Sequence, residues 1–570
     1  MRIALLQLNQ RLGDPAANGA CIEAAYVKAV AGGAKLVVTP ELAINGYLAE
    51  DRMWEAGLRS RVAVESARLA SLSGPVPLVF GTFSPGPSGR LFNELWWCQD
   101  GAIRQVIRKR LLPSYDVFEE HRWFEPSQEM PRLIEHQGHR IGVSICEDLW
   151  SDRELSSMPV RYACDPIADL GKAGATLLLN ASASPTALGS WLPKGKTAPW
   201  AIASKEQQRK KLIQGLAKKY DVPLVYADRV GADSWLLFDG GSCFVRPDGN
   251  WQGGQRFTEG IVWVDTEATG SAWPASASEG AWLRDGLRMG MRDNLAKQGL
   301  EAVVIGLSGG IDSSVVAAIA VDALGPDRVL GVALPTAYSS AESLELAKDQ
   351  ADRLGIELLC IDADAPFAGA ATALGNTFPD RGFSVTDENL QSRARAMLLM
   401  ALTSEPEVHR RLGTTRVAVL NTGNKSEAAT GYFTLYGDGI GAFSILGDCL
   451  KARVYDLAHE LGDAITPGIL ARVPTAELRP GQTDEASLAP YALLDAILGV
   501  ALEAQRPEEG LADDLACILQ GADLESARAA LPRILSLLRR TEFKRRQLPF
   551  NLKVSPKAFG QGRRIPLTAL

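Results

Sequence analysis

Histidine is scarce in this sequence, with five residues among 570. The pair His136 and His139, separated by Gln-Gly in a turn-forming stretch, is too small a donor set for a structural zinc site. A mechanism built on several histidines is hard to assemble from so few. Cysteine is sparse as well: eight residues, none in a Cys-x-x-Cys spacing, so a disulfide scaffold is excluded. No apolar run reaches the roughly 18 residues needed to span a bilayer, and the opening stretch Met1–Asp14 lacks a signal peptide's apolar core. A cytoplasmic protein that crosses no membrane is expected. Positive charge is not in excess either, since Lys+Arg 60 against Asp+Glu 67 gives a net charge of −7. That balance argues against a protein built around nonspecific nucleic-acid binding. What is present, 46% hydrophobic and 22% charged residues, suits a globular chain of two large or about three ordinary domains.

Residues 1 to about 265 carry short apolar runs at 35–39, 77–81, 140–146, 175–180, 223–227 and 261–265, punctuated by Gly, Pro and Asp. Helical patterns at 16–31 and 204–219 lie between them, so this half reads as β-rich α/β. The small, polar, Pro-containing stretch Thr269–Ser278 reads as a linker. Beyond an amphipathic helix near 280–298, strand candidates at 302–307, 329–334, 357–361 and 416–420 alternate with helical patterns. That alternation predicts a doubly wound parallel sheet, with a helical part from about 485. The domains expected are 1–268 and 281–570, joined by the linker 269–280.

Three chemically competent residues in the first half share one kind of position, at or just past an apolar run: Glu41, Lys109 and Cys146. Side chains at strand C-termini of α/β sheets converge on a cleft. A carboxylate that deprotonates a thiol, a thiolate that attacks an amide carbon and a lysine that stabilises the oxyanion make an amide-hydrolysing site. Taken singly, each residue reads more blandly, the cysteine as a small core hydrophobe and the charged pair as solvated surface.

Three ordered blocks carry a resemblance. Thr39–Leu42 (Thr-Pro-Glu-Leu), Lys109–Tyr115 continuing into Phe118–Phe124, and Ser144–Asp148 (Ser-Ile-Cys-Glu-Asp) resemble the nitrilase superfamily. The resemblance implies an αββα sandwich with Glu41 as base, Lys109 as oxyanion stabiliser and Cys146 as nucleophile. Glu120 matches a second glutamate that positions the lysine and is grouped with the glutamine pocket. It also implies that Tyr115, six residues after the lysine, and Ser184, in a Ser-x-Ser-Pro turn, grip glutamine. A Lys or Arg is expected six residues after that serine, where Ser190 stands. The stretch 190–204 reads as an insertion, which makes Lys205 the expected partner of the glutamine carboxylate, with Lys194 and Lys196 as rivals.

In the second half, Val304–Val315 (Val-Ile-Gly-Leu-Ser-Gly-Gly-Ile-Asp-Ser-Ser-Val) reads as strand, Gly-rich turn and helix start. Backbone N–H groups there make an anion cradle, although a plain strand–helix connection also places a capping residue at such a point. Gly306-Leu-Ser-Gly-Gly310 also fits a G-x-S-x-G nucleophile elbow with Ser308 as nucleophile. That alternative, a serine hydrolase, needs a downstream histidine, and only His409 and His459 remain. The run Gly195-Lys-Thr197 ends like a phosphate-binding loop, but Ser190 stands where its first glycine belongs.

The Ser-Gly-Gly-Ile-Asp-Ser run resembles the pyrophosphate loop of the ATP pyrophosphatases. Glu388–Arg395, Asn421–Glu427, Gly431–Asp438 and Lys544–Gln547 then resemble, in order, the synthetase half of NAD synthetases. This implies ATP contacts from Gly306, Leu307, Ser308, Gly309, Gly310, Ile311, Asp312, Ser313 and Thr422. It implies contacts to nicotinic acid adenine dinucleotide from Asn389, Glu427 and Lys544, and Mg²⁺ held by Asp312 and Glu427. Nearly the whole chain thus resembles the glutamine-dependent NAD synthetases, ligases whose partners are small-molecule substrates and not nucleic acid or membrane. A homo-oligomer is expected, and a non-catalytic scaffold is the alternative from a different class.

Overall fold

The computed structural model describes residues 1–479, 482, 488–504 and 506–568. The chain divides into two compact units, Met1–Thr186 with Ser204–Ser276, and Ala187–Ala203 with the chain from Ala277 onward.

The first unit is built on two six-stranded sheets. One has the order β14-β1-β2-β3-β4-β5, with β1 Arg2–Gln7, β2 Leu36–Val38, β3 Leu78–Pro85, β4 Leu91–Gln99, β5 Ala102–Arg108 and β14 Gly260–Asp265. The other has the order β13-β12-β9-β8-β7-β6, with β6 Ile134–His136, β7 His139–Ile145, β8 Leu177–Ser182, β9 Leu224–Asp228, β12 Cys243–Val245 and β13 Trp251–Gly253. Strand periodicity explains the layering. Ile3 and Leu5 of β1 face Leu177, Leu179 and Ala181 of β8 in a core between the sheets. The alternate residues Ala4 and Leu6 turn outward onto the helices Pro15–Ala31 and Ala56–Leu72. Leu178 of β8 likewise turns outward onto the helix Lys205–Tyr220 through Leu212, Ile213 and Leu216. Strands apolar on both faces must be covered on both, and the result is the expected αββα sandwich. A hairpin, β10 Val230–Asp233 with β11 Leu236–Asp239, stands apart from both sheets.

The second unit holds a five-stranded, all-parallel sheet of order β17-β16-β15-β18-β19, with β15 Ala302–Gly306, β16 Val329–Ala333, β17 Glu357–Cys360, β18 Val417–Asn421 and β19 Phe443–Ser444. The first strand in sequence lies at the centre, and the order reverses between β15 and β18. Loops leaving those two strand ends flank the crevice where doubly wound sheets bind ligands. The C-terminal helices Tyr491–Glu503, Glu508–Ala516 and Gly521–Arg540 form a separate apolar cluster.

One boundary is corrected. The first domain is not continuous over 1–268, because Ala187–Ala203 belongs to the second unit. Trp200 is buried in that unit's helical cluster, with Trp191 and Leu192 packed against it. This burial of tryptophan outweighs the sequence proximity of the segment to the first sheet pair.

Candidate active sites

β7 ends at Ile145, and the chain turns at once into the short 3-10 segment Cys146–Leu149. Cys146 has a φ of 42°, strained for a residue with a side chain, and such strain persists only where the surroundings over-determine the backbone. Asp148 supplies that constraint. One of its oxygens accepts the Ile145 N–H at 3.1 Å, and the other accepts those of Arg110 and Leu111 at 3.1 and 2.9 Å. One buried carboxylate thus ties the turn carrying Cys146 to the segment after Lys109. Glu41 sits in the turn after β2, and Gly81 of β3 lets that turn close, since a Cβ there would lie 2.3 Å from the Leu42 nitrogen.

The Lys109 ammonium donates to Glu41 Oε1 at 2.7 Å and to Glu120 Oε1 at 2.8 Å, and all three side chains are fully buried. Glu41 also accepts from Asn93 Nδ2 at 2.7 Å and from the Ala183 N–H at 3.0 Å, and Tyr47 donates to Glu120 at 2.7 Å. Burial alone pulls the Lys109 ammonium down, but Glu120 and Glu41 outweigh it and hold it well above its ordinary range. Burial, then the nearby Glu41 charge, pushes the Cys146 thiol well above its ordinary range, with Lys109 pulling the other way. Attack by this sulfur would therefore call for a base, and Glu41 is the carboxylate whose charge acts on the thiol most strongly. Asn93, Tyr47 and Asp148 were not read from the sequence. Asp148 alone left a signal, as the acid two residues after the cysteine.

Tyr115 and Tyr162 both donate to Glu147, at 3.1 and 2.7 Å. Burial raises the Glu147 carboxyl, opposed by Tyr162 and by the Lys205 charge. Lys205 opens the helix Lys205–Tyr220, with its ammonium 3.7 Å from the centre of the Trp150 ring. Burial pushes that ammonium down to about 8, partly offset by Glu147. Ser184 is buried, and its N–H donates to Asp228 at 3.0 Å. Lys194 and Lys196 lie on the Ala187–Ala203 segment and belong to the second unit. The structure thus groups Lys205, and neither rival, with Glu147 and Tyr115 in the first unit. Glu147 and Tyr162 are further polar groups that the motif matching passed over.

In the second unit, Gly306 ends β15, Leu307–Gly310 turns, and the helix Ile311–Leu324 begins. Gly309 has a φ of 72°, and a Cβ there would lie 2.4 Å from the Ser343 carbonyl oxygen, so only glycine closes this turn. Leu307 and Ile311 are buried, and the Leu307 N–H is already spent on the Val332 carbonyl at 2.9 Å. Of the two, only the Ile311 backbone is left to meet an anion, and the expected ATP contact from Leu307 is not supported. Ser308 Oγ lies 3.2 Å from Ser313 Oγ and accepts the Gly310 N–H at 3.2 Å. The nucleophile-elbow reading finds no support, because among the described residues the partners of Ser308 Oγ are Ser313 Oγ and the Gly310 N–H, and neither His409 nor His459. Thr422 follows β18, across the crevice.

Asp312 accepts from Asn424 Nδ2 at 3.0 Å and pairs with the Lys451 ammonium, which also lies 3.9 Å from Glu427. Burial pulls Lys451 down, but Asp312 and Glu427 outweigh it and hold it above its ordinary range. Asp312 and Glu427 therefore face one shared cation. Among the described residues no third His, Cys, Asp or Glu joins them as a metal-ligand group. Two carboxylates fit Mg²⁺, which keeps most of its shell as water and phosphate oxygen. Asn389 accepts from Thr434 at 2.8 Å, and the Lys544 ammonium donates to the Gly431 and Phe433 carbonyls at 2.9 Å. The structure thus brings Asn389 and Lys544 to one segment, Gly431–Asp438, directly after the short helix that carries Glu427.

Fold and sites together define a nitrilase-type amidohydrolase joined to an ATP-pyrophosphatase-like synthetase. Residues 2–275 match the carbon-nitrogen hydrolase family and residues 285–548 match the NAD synthase family. A glutamine-dependent NAD(+) synthetase of Synechocystis is 37% identical over 99% of this chain and 98% of its own length. One from Thermotoga maritima is 35% identical over 100% and 98%. The solved glutamine-dependent NAD+ synthetase of Acinetobacter baumannii, a complex with adenosine diphosphate, is 30% identical, covers 99% and 98%, and superposes with a TM-score of 0.73. The chain belongs to the glutamine-dependent NAD(+) synthetase family.

Proposed function

We propose that this chain amidates nicotinic acid adenine dinucleotide to NAD, through an adenylated carboxylate that releases AMP and pyrophosphate, with ammonia taken from glutamine. The observation that carries the reading is the coexistence in one chain of the buried Glu41–Lys109 pair beside Cys146 and the Ser308–Ser313 cradle facing Asp312, Glu427 and Lys451.

In the first unit, Glu41 takes the Cys146 proton as sulfur attacks the amide carbon, and Lys109 neutralises the oxygen that becomes negative. Glu41 then gives the proton to the departing ammonia, and a water hydrolyses the thioester with the same base. Glu120 holds the lysine. Ser184 and Lys205 take the α-carboxylate of glutamine, while Glu147, oriented by Tyr115, takes its α-ammonium. The charges support this division, a cation and an anion side by side for a zwitterion.

In the second unit, the backbone of Ser308–Ser313 and the Ser308 and Ser313 hydroxyls hold phosphate oxygens, and Thr422 contacts ATP. Asn389, Glu427 and Lys544 contact the dinucleotide. Asp312 and Glu427 would hold Mg²⁺, which when bound would neutralise phosphate charge. Lys451, paired with Asp312 and 3.9 Å from Glu427, offsets the repulsion between the two carboxylates. Among the described residues no helix is long and apolar enough to cross a membrane, which is consistent with work in the cytoplasm. We read the chain as assembling with copies of itself, supported by the exposed Val385, Met397 and Met400 on one helix. Analytical ultracentrifugation tests this.

The decisive experiment supplies purified protein with the deamido dinucleotide, ATP and Mg²⁺, first with glutamine and then with ammonium. Equimolar NAD, AMP and pyrophosphate are expected with either nitrogen source. Glutamine hydrolysis without any ATP-dependent product refutes the synthetase reading.

A further inference from the structure

Ser184 and Lys205 must stand at one fixed separation to hold a single substrate. The chain between them ties only its own neck, the Ser190 N–H to the Ile202 carbonyl and the Ile202 N–H to Ser190 Oγ, both at 2.8 Å. Ala187–Ala203 lies in the second unit, an excursion beyond the roughly 12–15 residues at which structureless connections become uncommon. Something other than covalent continuity has to hold the two ends. The Asp228 carboxylate, at the end of β9 and fully buried, is the group that touches both. One oxygen accepts the Ser184 N–H at 3.0 Å, and the other accepts Arg209 Nη1 at 2.7 Å. Arg209 lies four residues after Lys205 on the same helix, hence on the same face one turn along. Its other amino group pairs with Asp239 and reaches Thr186 Oγ1 at 3.5 Å. The Arg229 N–H at 3.0 Å and Tyr226 hydroxyl at 2.9 Å complete the Asp228 shell, using about the four acceptor positions a carboxylate has.

We propose that the buried Arg209–Asp228 pair is the positioning device for glutamine, locking the turn of Ser184 to the helix of Lys205 so that glutamine affinity is set without either residue entering the amide chemistry. This rests on the reading in which Ser184 and Lys205 grip glutamine. A guanidinium against a carboxylate suits the task, because its planar fork fixes angle as well as distance, and burial leaves no ions to screen it.

The test compares Asp228→Asn and Arg209→Lys with wild type and with Lys205→Ala. Asp228→Asn keeps the side-chain shape, and Asp239 remains to pair Arg209. Three quantities are measured: glutamine KM, kcat for glutamine hydrolysis, and the rate at which iodoacetamide alkylates Cys146, followed by mass spectrometry of its peptide. Iodoacetamide has no amino-acid head group, so it reports the triad independently of the grip. Asp228→Asn is expected to raise glutamine KM about tenfold or more, the scale of a lost charged hydrogen bond. Its kcat and alkylation rate should stay within about threefold. Arg209→Lys, which retains a cation within reach, should show a smaller rise and carries the comparison if Asp228→Asn does not fold. An unchanged KM, or a parallel fall in kcat and alkylation in folded protein, overturns the proposal in favour of a purely structural pair. If Lys205→Ala itself leaves KM unchanged, the glutamine-grip reading fails and takes the proposal with it. If only the Asp228 and Arg209 variants leave it unchanged, the grip stands and the positioning role falls.

Discussion

Replacing Lys109 by methionine isolates what its ammonium does. Both its partners are fully buried carboxylates, Glu41 at 2.7 Å and Glu120 at 2.8 Å, so neither water nor salt can take its place. Deleting one partner of a buried pair costs about 3–5 kcal/mol, and here two acceptors lose the same donor. Amide attack also loses stabilisation of the developing oxyanion, an effect of about 10²–10³ in rate. The two losses are separable. Adding Glu120→Gln removes the repulsion between the stranded carboxylates, so Lys109→Met/Glu120→Gln should recover about 2 kcal/mol of stability and none of the activity. Acidification gives a second check. Burial already holds the Glu120 carboxyl above its ordinary range, with Lys109 opposing, and loss of the ammonium raises it further. The folded variant then keeps a proton that the unfolded chain has released. Wild type already holds this proton up to about pH 7, so the variant's stability deficit should be smallest below that value and should grow as pH rises from there through the variant's still higher folded value. Urea unfolding followed by tryptophan fluorescence, at about pH 5 and about pH 8, reads this directly. A Lys109→Met protein as stable as wild type at the higher pH, or with a deficit indifferent to pH, refutes the argument that Lys109 holds two charges together.

Cys146→Ala removes the thiol that forms the thioester, so glutamine should support no NAD formation, while ammonium at tens of millimolar scale should still do so. Glutamine-dependent activity at the wild-type level in that variant eliminates the triad. Asp312→Asn should stop pyrophosphate release and leave glutamine hydrolysis measurable; pyrophosphate formed at near the wild-type rate sinks the phosphate-loop assignment. Because burial lowers the Lys205 ammonium to about 8, its charge is lost as pH rises through that value. Glutamine KM should therefore climb above about pH 8 and lose that climb in Lys205→Arg, whose guanidinium stays charged; an identical pH profile in both proteins assigns the titration elsewhere.

Most strands around the two sites were legible because their apolar runs are short, continuous and bounded by Gly, Pro or Asp, as at β8 and β15. β4 and β5 were not read as strands, since Leu91–Gln99 and Ala102–Arg108 interrupt their apolar residues with polar and charged ones such as Asn93, Glu94 and Arg108. Asn93 went unseen for that reason. Lys451 escaped for another: it meets Asp312 across a sequence separation of 139 residues, and a lone lysine at a helix start carries no local signal. The stretch 190–204 was legible as an insertion, but not the membership of Ala187–Ala203 in the second unit.

The sequence by itself determined the chemistry: a thiol, a carboxylate and a lysine at the ends of apolar runs, and a Gly-Gly turn before a helix that can cradle phosphate. Those features are local, because side-chain type and a few neighbouring dihedral preferences decide them. Only the tertiary structure decided how the groups are poised. Glu41 and Glu120 converge on one ammonium, Asp228 bridges Ser184 to the helix of Lys205, and Lys451 stands between Asp312 and Glu427. Burial raises the Cys146 thiol and lowers the Lys205 ammonium. Desolvation and the field of distant charges depend on what the rest of the chain packs around a group, and that information is spread across the whole fold rather than written beside the residue.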